Sequence, residues 1–343
     1  MKELGVFFTD LHLHLNNVHL FESAVDQAID YCKKNGLHYI FNGGDTFTSR
    51  KGQPQEVLKV FWETLERMRM ANITMYAIVG NHDKTDYASS DSFLIPFQDH
   101  PALQLVEGAD HVDVVEGLRV HMVSFFEDEM YKDMLSKCEI LKGVKNILIT
   151  HIGIDGAKMN SGLSLSAKVN ASMFKEFDAV YVGHYHNKQL MSYCPNGSRK
   201  VVDILYTGST YPHNFGEDND KGLYVLSNDG SMKMIETQFP KFVTNEFKEI
   251  QEHDIAEVLS AAELVGNLRI KTEKISPIFR SRLEAAGVKV IVEKKELISL
   301  VEKTEVQQYD DQSLVQTYDE WANKRKIKDK EIGKELLINA IQR

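Results

Sequence analysis

The feature that most restricts the fold is a series of short apolar segments that each end in aspartate, histidine or asparagine. Three of these segments lie in the first part of the chain, at residues 4–8, 37–41 and 73–79. Between them, residues 18–33 and 53–70 place apolar side chains at helical spacing. The alternation of strand and helix predicts a largely parallel or mixed sheet covered by helices.

The second part of the chain is richer in strands. Further strand-like segments occur at residues 119–126, 146–150, 179–182, 201–206, 222–227 and 231–237. Two sheets packed together, with helices outside, accommodate these segments better than one doubly wound sheet. The expected fold class is therefore α/β (α+β), a β-sandwich flanked by helices.

The order of strand-like and helix-like segments changes again after the sequence FPKF, which predicts a first domain over residues 1–239. Residues 240–303 alternate helix-like and strand-like segments and predict a small α+β domain. Residues 304–312 are polar and predict a linker. Residues 313–343 are charged, with an apolar helical pattern. Such a tail either packs on its own domain or docks in a groove of a partner, and the pattern does not choose between these.

Composition excludes several classes of protein. The formal net charge of -10 argues against a generally basic nucleic-acid binder, although it allows a local basic groove or a metal site that meets phosphate. The cysteines Cys32, Cys138 and Cys194 are scattered, which argues against a disulfide framework or a zinc knuckle and favours a reducing cytoplasm. The N-terminus is too quickly polar for a signal peptide, and we expect no membrane segment.

The polar residues that follow the apolar segments are the candidate functional residues. They are Asp10, His12, Asn42, Asp45, Asn81, His82, Asp83, His151, His184 and His186. Any one of them alone is more often a turn residue. Functional groups gather beyond the carboxyl ends of strands in open α/β sheets, so we expect this set to lie together. Clustered carboxylates and imidazoles would repel one another or lack partners unless a cation lay between them.

The types of donor then restrict the metal. Carboxylates, imidazoles and an amide oxygen, without a thiolate, suit manganese, iron or zinc rather than a structural cysteine site. There are more donors than one ion needs, which predicts two ions with a bridging carboxylate. Two such ions suit hydrolysis of a phosphate ester, because negative charge builds on the attacking and leaving oxygens.

The order of these motifs resembles the calcineurin-like metallophosphoesterases. The motifs are Asp-x-His at 10–12, Gly-Asp at 44–45, Gly-Asn-His-Asp at 80–83, His151 and Gly-His-x-His at 183–186. Residues 206–227, YTGSTYPHNFGEDNDKGLYVLS, resemble a segment of the Mre11/SbcD nucleases within that family. The compact length and residues 33–52 look most similar to the bacteriophage members of the T4 type.

The resemblance implies a role for each residue of the site. Asp10, His12 and His186 are expected to bind the first ion, Asp45 to bridge, and Asn81, His151 and His184 to bind the second. His82 is expected to be catalytic, facing the scissile phosphate rather than binding metal, and Asp83 to orient its neighbours. The implied metal is Mn²⁺, with Mg²⁺ as an alternative, and the implied nucleophile is a metal-bound hydroxide.

The chain departs from the family pattern at one position. Many relatives carry histidine or aspartate three residues after the bridging aspartate, where this chain has Thr48; its hydroxyl can hydrogen-bond but supplies no charge.

Four further residues are candidates for DNA contact. Arg50 and Lys51 follow the loop of Thr48 and are candidate phosphate contacts. His213 and Asn214 lie in the nuclease-like segment and are also expected to approach DNA.

At the level of the whole protein, the resemblance implies a four-layer sandwich whose small domain at 240–303 caps the active site. It also implies a Mn²⁺-dependent DNA exonuclease and endonuclease that works at DNA ends in recombination, repair and replication. The tail at 313–343 is expected to dock on a Rad50/SbcC-like ATPase, and the helix at 53–70 is a candidate for homodimerisation. If the protein is phage-encoded, the compartment is the host cytoplasm. The alternatives are another phosphoesterase of this fold, such as a phosphatase or cyclic-nucleotide phosphodiesterase, and a non-catalytic scaffold.

Overall fold

A computed structural model describes residues 2–195 and 200–293, together with residues 318–319, 321–323, 330–331 and 333–334 of the tail. Contacts divide the chain into two units, Met1–Val292 and Glu293–Arg343. The described tail residues are helical, and the Tyr318 hydroxyl donates to the carbonyl of Lys330 at 3.2 Å. The predicted linker at 304–312 and most of the predicted docking segment at 313–343 lie outside the described residues.

The first sheet contains five of the strand segments that were predicted from the sequence, at residues 4–8, 37–41, 73–79, 222–227 and 231–237. Its strands are β1 (Glu3–Phe8), β2 (Tyr39–Asn42), β3 (Thr74–Ile78), β4 (Leu103–Val106), β11 (Leu223–Ser227) and β12 (Met232–Ile235). They are ordered β12-β11-β1-β2-β3-β4, with β1 to β4 parallel and β11 antiparallel to β1. Helices α1 (Val18–Asn35) and α2 (Gln55–Met70) connect the first three strands. The carboxyl ends of β1, β2 and β3 therefore meet at one edge.

The second sheet has a similar parallel centre. Its strands are β5 (Ala109–Val115), β6 (Leu118–Val123), β7 (Lys145–His151), β8 (Ala179–Gly183), β9 (Gln189–Tyr193) and β10 (Val202–Tyr206). They are ordered β5-β6-β7-β8-β10-β9, with antiparallel strands at both edges. Helix α3 (Asp128–Ser136) connects β6 to β7. The carboxyl ends of β7 and β8 again lie side by side because these strands are parallel.

Alternating side chains on buried strands hold the layers together. On β1, Phe7 packs between the two sheets with residues such as Ile149, whereas Val6 and Phe8 face the helices that cover the first sheet. On the far side of the second sheet, a separate cluster includes Tyr131 of α3. The layers run helix, sheet, sheet, helix, which confirms the predicted sandwich flanked by helices.

A third, smaller sheet follows within the same unit. It consists of β13 (Lys241–Ile250), β14 (Gly266–Ile275) and β15 (Lys289–Val292), all parallel, with helices α4 (Glu252–Val265) and α5 (Pro277–Ala285). These elements bury an apolar cluster of their own. The α+β character agrees with the sequence pattern, while the boundaries of a separate capping domain at 240–303 stay a prediction.

Several elements were not predicted from the sequence. Strands β5 and β9 lie at sheet edges and have exposed residues at several positions, so they lack the apolar run of a buried strand. Strand β13 begins inside the predicted boundary FPKF, and its exposed positions are largely charged. Strand β4 and helix α3 were also unexpected. Among the helices of the described residues, none combines the length and the apolar character needed to span a bilayer.

Candidate metal centre

The predicted site residues lie beyond the carboxyl ends of five strands. Asp10 and His12 follow β1, Asp45 follows β2, Asn81 to Asp83 follow β3, His151 ends β7, and His184 and His186 follow β8. Three of these strands belong to the first sheet and two to the second. The site therefore forms where the same edge of both sheets meets, as predicted for strand-end residues.

Four of the predicted ligands adopt an unusual backbone conformation. The φ angles are 52° at Asp10, 47° at His12, 52° at Asp45 and 92° at His184. Positive φ is uncommon outside glycine and costs of order 1–3 kcal/mol at each such residue. Tertiary hydrogen bonds hold two of them: the amide of Asp10 donates to the carbonyl of Gly44 and that of His12 to the carbonyl of Asp45, both at 3.0 Å. Such concentrated strain is typical of functional sites.

Two glycines allow the loops of this site to approach closely. A Cβ atom on Gly80 would overlap the backbone and carboxylate of Asp45. Gly44 has φ 95°, and a Cβ there would lie 2.7 Å from Nδ1 of His151. The glycines of the Gly-Asp and Gly-Asn-His-Asp motifs are therefore required for packing, and any side chain at either position would displace a predicted ligand.

The predicted ligands of the first ion converge on one point. Ligand atoms of Asp10, His12 and His186 all lie within 4.8 Å of one another. The Nε2 atoms of the two histidines are 3.0 Å apart, and each lies 3.9 Å from Oδ1 of Asp10. His186 donates from Nδ1 to Glu217 at 2.9 Å, which leaves the lone pair on Nε2 to face this point.

The predicted second set lies directly beside the first and shares Asp45 with it. Oδ2 of Asp45 is 3.6 Å from Nε2 of His12 and 3.3 Å from Nε2 of His151, as a bridging carboxylate requires. Oδ1 of Asn81 lies 3.2 Å from Nε2 of His151 and 2.8 Å from Nδ1 of His184. Because Nδ1 of His151 donates to a backbone carbonyl, its Nε2 lone pair points into the site.

The electrostatics of this set fit divalent cations. Burial raises the pKa of Asp10. The attraction between Asp45 and His151 outweighs burial, holds the pKa of Asp45 well below its usual range and raises that of His151 to about 9, so without a cation His151 carries a proton on Nε2 that a bound ion would replace. Burial lowers the pKa of His12, and lowers that of His184 to about 3, so both offer neutral imidazole lone pairs. Buried carboxylates beside neutral imidazoles and an amide oxygen, with no thiolate, form a donor set suited to two divalent ions.

His82 lies at the mouth of the site, in contact with residues from another loop. Its Nδ1 donates to the backbone carbonyl of Thr48 at 2.7 Å, and its Nε2 accepts from Arg50 at 2.9 Å. The Thr48 hydroxyl donates instead to the carbonyl of His12. The expected support for His82 therefore comes from the Thr48 backbone rather than its side chain. Lys51 is exposed on the same loop.

Distance alone does not separate His82 from the metal ligands. One of its ring nitrogens also lies within 4.8 Å of the ligand atoms of His12 and Asp45. The contact with Arg50 favours a different role, because a guanidinium beside the ring is unfavourable next to a bound cation and favourable next to a phosphate. The predicted catalytic role of His82 therefore stays a prediction that a metal-binding measurement can test.

Asp83 lies behind the site and joins two of its loops. Its buried carboxylate accepts backbone N–H groups of Thr46 at 3.2 Å, of Phe47 at 2.9 Å and of Gly80 at 2.9 Å. Thr46 and Phe47 directly follow Asp45, and Gly80 directly precedes Asn81. This arrangement suits the predicted orienting role, and it acts through backbone rather than through side chains of ligands.

The loop before β11 contacts the predicted ligands of the first ion. His213 is largely buried, donates from Nε2 to the carbonyl of Asp10 at 2.9 Å, and packs its ring 5.2 Å from that of His12. Asn214 donates to Glu217 at 2.8 Å. The structure thus gives both residues contacts inside the site, and their expected contact with DNA stays a prediction.

Glu217 was given no role from the sequence, although it lies in the segment that carried the nuclease resemblance. Burial opposes its ionisation, but the hydrogen bond from His186 lowers the pKa of Glu217 to about 2. Its other oxygen lies 3.7 Å from Nζ of the buried Lys221, which also donates to the carbonyl of His186. A charged carboxylate therefore fixes the ring of one predicted metal ligand.

Comparison with known families agrees with this geometry. Residues 6–188 match the family model described as calcineurin-like phosphoesterase. The match covers more than half of the chain and includes every predicted metal ligand. The chain belongs to the calcineurin-like phosphoesterase family. Membership confirms the resemblance that was based on the motifs and indicates a metal-dependent hydrolase of phosphate esters.

Curated relatives within this family are distant. Exonuclease subunit 1 of Enterobacteria phage T4 is 22% identical over 227 residues, which is 65% of this chain and 60% of that protein. The DNA double-strand break repair protein Mre11 of Methanocaldococcus jannaschii is 21% identical over 316 residues, covering 85% of this chain and 82% of that protein. The putative phosphoesterase 244L of Invertebrate iridescent virus 6 is 24% identical over 228 residues, covering 64% and 74%. The match therefore spans less than two thirds of the phage T4 protein.

Two solved structures are also similar. A dimetal phosphatase from Danio rerio aligns over 60% of this chain and 88% of its own, with 8% identity and a TM-score of 0.39. The nuclease MPE of Pseudomonas putida aligns over 67% and 86%, with 13% identity and a TM-score of 0.29.

Proposed function

We propose that the protein is a two-metal-dependent DNA nuclease that hydrolyses phosphodiester bonds, with Mn²⁺ as its metal. The observation that carries the proposal is the convergence of seven donor side chains from five strand ends, with His82 and Arg50 at the mouth of the same cleft. The cleft has a volume of about 430 Å³ and is open to solvent, so a polymer can reach it.

The donor geometry supports the predicted division of these residues between two ions. Asp10, His12 and His186 would hold the first, Asn81, His151 and His184 the second, and Asp45 would touch both. Two divalent ions held there would supply positive charge for the oxygens of the reacting phosphate and would lower the pKa of bound water. Glu217 holds the His186 ring in position, and Asp83 holds the loops of Asp45 and Asn81 together.

His82 and Arg50 would act on the phosphate from the open side. The hydrogen bond to Thr48 fixes the His82 ring, with a proton on Nδ1 and with Nε2 directed to the cleft. When Arg50 pairs with the phosphate instead, Nε2 of His82 is released, and a proton that Nε2 takes up from solvent would be passed to the leaving oxygen, as in general acid catalysis. The neighbouring guanidinium of Arg50 would pair with a non-bridging phosphate oxygen, which agrees with its predicted phosphate contact.

The choice of DNA over a small phosphate ester is supported by the relatives and by the accessory elements. Two relatives are named as an exonuclease subunit and as a DNA double-strand break repair protein. The loop of residues 206–222 contributes Glu217 to the site, and its Phe215 packs against Phe242 and under the guanidinium of Arg269 in the small sheet. A small-substrate phosphatase needs neither element.

We also propose partners for this nuclease. The name of the phage T4 relative describes a subunit, which supports action with an ATPase of the Rad50/SbcC type through residues 313–343. Helix α2 exposes 47% of Trp62 and 80% of Met70, which supports the predicted dimerisation through residues 53–70. Deleting residues 314–343 should abolish co-purification with the ATPase and leave nuclease activity; persistent co-purification would refute the docking role.

The test of function is a hydrolysis panel. Purified protein is incubated with Mn²⁺, Mg²⁺ or EDTA and given linear double-stranded DNA, single-stranded DNA or p-nitrophenyl phosphate. His82→Ala should abolish DNA cleavage while Mn²⁺ still raises the melting temperature. His253→Ala, at an exposed histidine of the small domain, is the matched control and should behave as wild type.

Three results would contradict the proposal in different ways. Turnover of the monoester without DNA cleavage, even with the ATPase present, would identify a phosphatase. No turnover of any substrate would favour a scaffold. Loss of both cleavage and Mn²⁺ binding in His82→Ala would show that His82 is a metal ligand.

A further inference from the structure

A second cavity opens directly beside the metal cleft. It has a volume of about 620 Å³ and shares Arg50, Asn81, His184 and Tyr185 with the cleft. This volume is ample for a group of nucleoside size. The residues that line the rest of it, from loops after β3, β6 and β7, have no part in the metal site.

Aromatic rings form the wall of this cavity nearest the metal site. The ring of Phe125 lies nearly parallel to that of His184, with centroids 6.1 Å apart and an interplanar angle of 26°. The Tyr87 ring meets Phe125 edge-on at 5.1 Å. Both Tyr87 and Phe125 are only partly buried, so their faces are accessible from the cavity. Tyr185 completes the wall, 4.7 Å from His184.

Arg50 stands at the boundary between the cavity and the cleft. Its guanidinium carbon lies 5.6 Å from the centre of the Tyr87 ring, while Nη2 donates to His82. A cation in this position can pair with a phosphate on one side and stack against an aromatic ring or base on the other. A nucleotide whose phosphate lies in the cleft would therefore place its base towards the cavity.

Acidic residues that also line the cavity have the wrong charge for a phosphate and the right groups for a base. Glu127, Asp128 and Glu129 lie where α3 begins, and Lys168 pairs with Glu129 at 3.5 Å. Carboxylates repel the sugar–phosphate backbone, but they accept hydrogen bonds from the amino groups of bases. Apolar side chains of Met130 and Leu165 also line the cavity.

We propose that this cavity is a subsite for one unpaired nucleobase next to the scissile phosphate. The base stacks on the wall formed by Tyr87 and Phe125 while its phosphate pairs with Arg50. The proposal rests on the proposed nuclease function and names its substrate more narrowly. Because a paired base cannot leave its partner without an energetic cost, the enzyme prefers single-stranded DNA or frayed ends.

The test measures binding in EDTA, so that its readout does not depend on the metal-loaded enzyme. Fluorescence anisotropy compares a short single-stranded oligonucleotide with an abasic oligonucleotide of equal length. Tyr87→Ala should raise the Kd for the ordinary oligonucleotide about tenfold, as expected for one lost base–aromatic stack, and leave the Kd for the abasic one unchanged. Tyr87→Trp should restore binding. Tyr193→Ala, on the edge strand β9, is the control.

The subsite is refuted if wild type binds both oligonucleotides equally or binds neither. It is also refuted if Tyr87→Ala weakens the binding of both oligonucleotides by the same factor. That result would mean that Tyr87 contacts the sugar–phosphate backbone or that the variant is misfolded. Thermal unfolding of each variant identifies the latter. Metal-dependent DNA hydrolysis by the wild-type protein is measured separately. If the wild-type protein hydrolyses DNA but binds both oligonucleotides equally, only the subsite is rejected. If it does not hydrolyse DNA, the nuclease function itself is rejected.

Discussion

Asp83→Ala should destabilise the whole first unit, although Asp83 contacts neither substrate nor predicted ligand side chains. The carboxylate accepts three backbone N–H groups, from Thr46, Phe47 and Gly80, at 2.9 to 3.2 Å. All three donors are buried, and alanine offers them no acceptor. The site is too closely packed for the lost hydrogen bonds to be replaced by rearrangement, because Gly80 already touches Asp45.

The magnitude follows from the number of donors. A buried donor without a partner costs about 1–3 kcal/mol, so three of them give about 3–9 kcal/mol. This is a large fraction of the roughly 5–15 kcal/mol that stabilises a typical domain. Asp83→Asn keeps one carbonyl oxygen and should fall between wild type and Asp83→Ala. The loops that carry Asp45 and Asn81 should also lose their relative position, so Mn²⁺ affinity should fall.

Urea unfolding of the full chain, followed by circular dichroism, measures this effect. The matched control is Asp86→Ala, three residues along the chain, where an exposed carboxylate accepts the amide of Ala88 at 2.9 Å. Asp86→Ala should change the free energy of unfolding by less than about 1 kcal/mol. If the unfolding midpoint of Asp83→Ala matches that of Asp86→Ala, the assignment of Asp83 as the link between the two loops is wrong.

Three further predictions concern other contacts. Thr48→Val should lower the free energy of unfolding by about 1 kcal/mol, because the hydrogen bond from the Thr48 hydroxyl to the carbonyl of His12 is lost. The variant should keep a kcat far above that of His82→Ala, because His82 contacts the Thr48 carbonyl, which valine retains; equal losses of kcat would contradict this. Glu217→Gln should weaken Mn²⁺ binding about 10–100-fold in a thermal-shift titration, since the charge that orients His186 is removed; unchanged affinity would refute that role. Burial lowers the pKa of Lys84 to about 8 from 10.5, so the folded state binds fewer protons between these pH values. As the pH rises from about 8 to about 10.5, the free energy of unfolding of wild type in urea should therefore increase by about 3 kcal/mol relative to that of Lys84→Met. If the two free energies change in parallel with pH, the pKa of Lys84 is not lowered.

Much of the fold and the composition of the site could be predicted from the sequence. Buried strands and amphipathic helices leave periodic patterns that depend only on neighbouring residues, so β1, α1, β2, α2 and β3 were expected close to their observed bounds. The five polar strand ends could be grouped because parallel strands bring their carboxyl ends together. The edge strands β5 and β9 and the half-exposed β13 were missed, since a strand that is solvated on one face or at an edge carries no continuous apolar run.

Only the tertiary structure decided how the site is held. The hydrogen bonds that hold Asp10 and His12 in their left-handed conformation, the amides of Thr46 and Phe47 that bind Asp83, and the pairing of Arg50 with His82 all join segments that are far apart in the sequence. The same holds for Glu217: its segment was noticed in the sequence, but its hydrogen bond with His186 was not predicted. Local sequence sets which residue types leave each strand. The distances and orientations among them arise when separate loops pack together, and no periodic pattern in the chain records that packing.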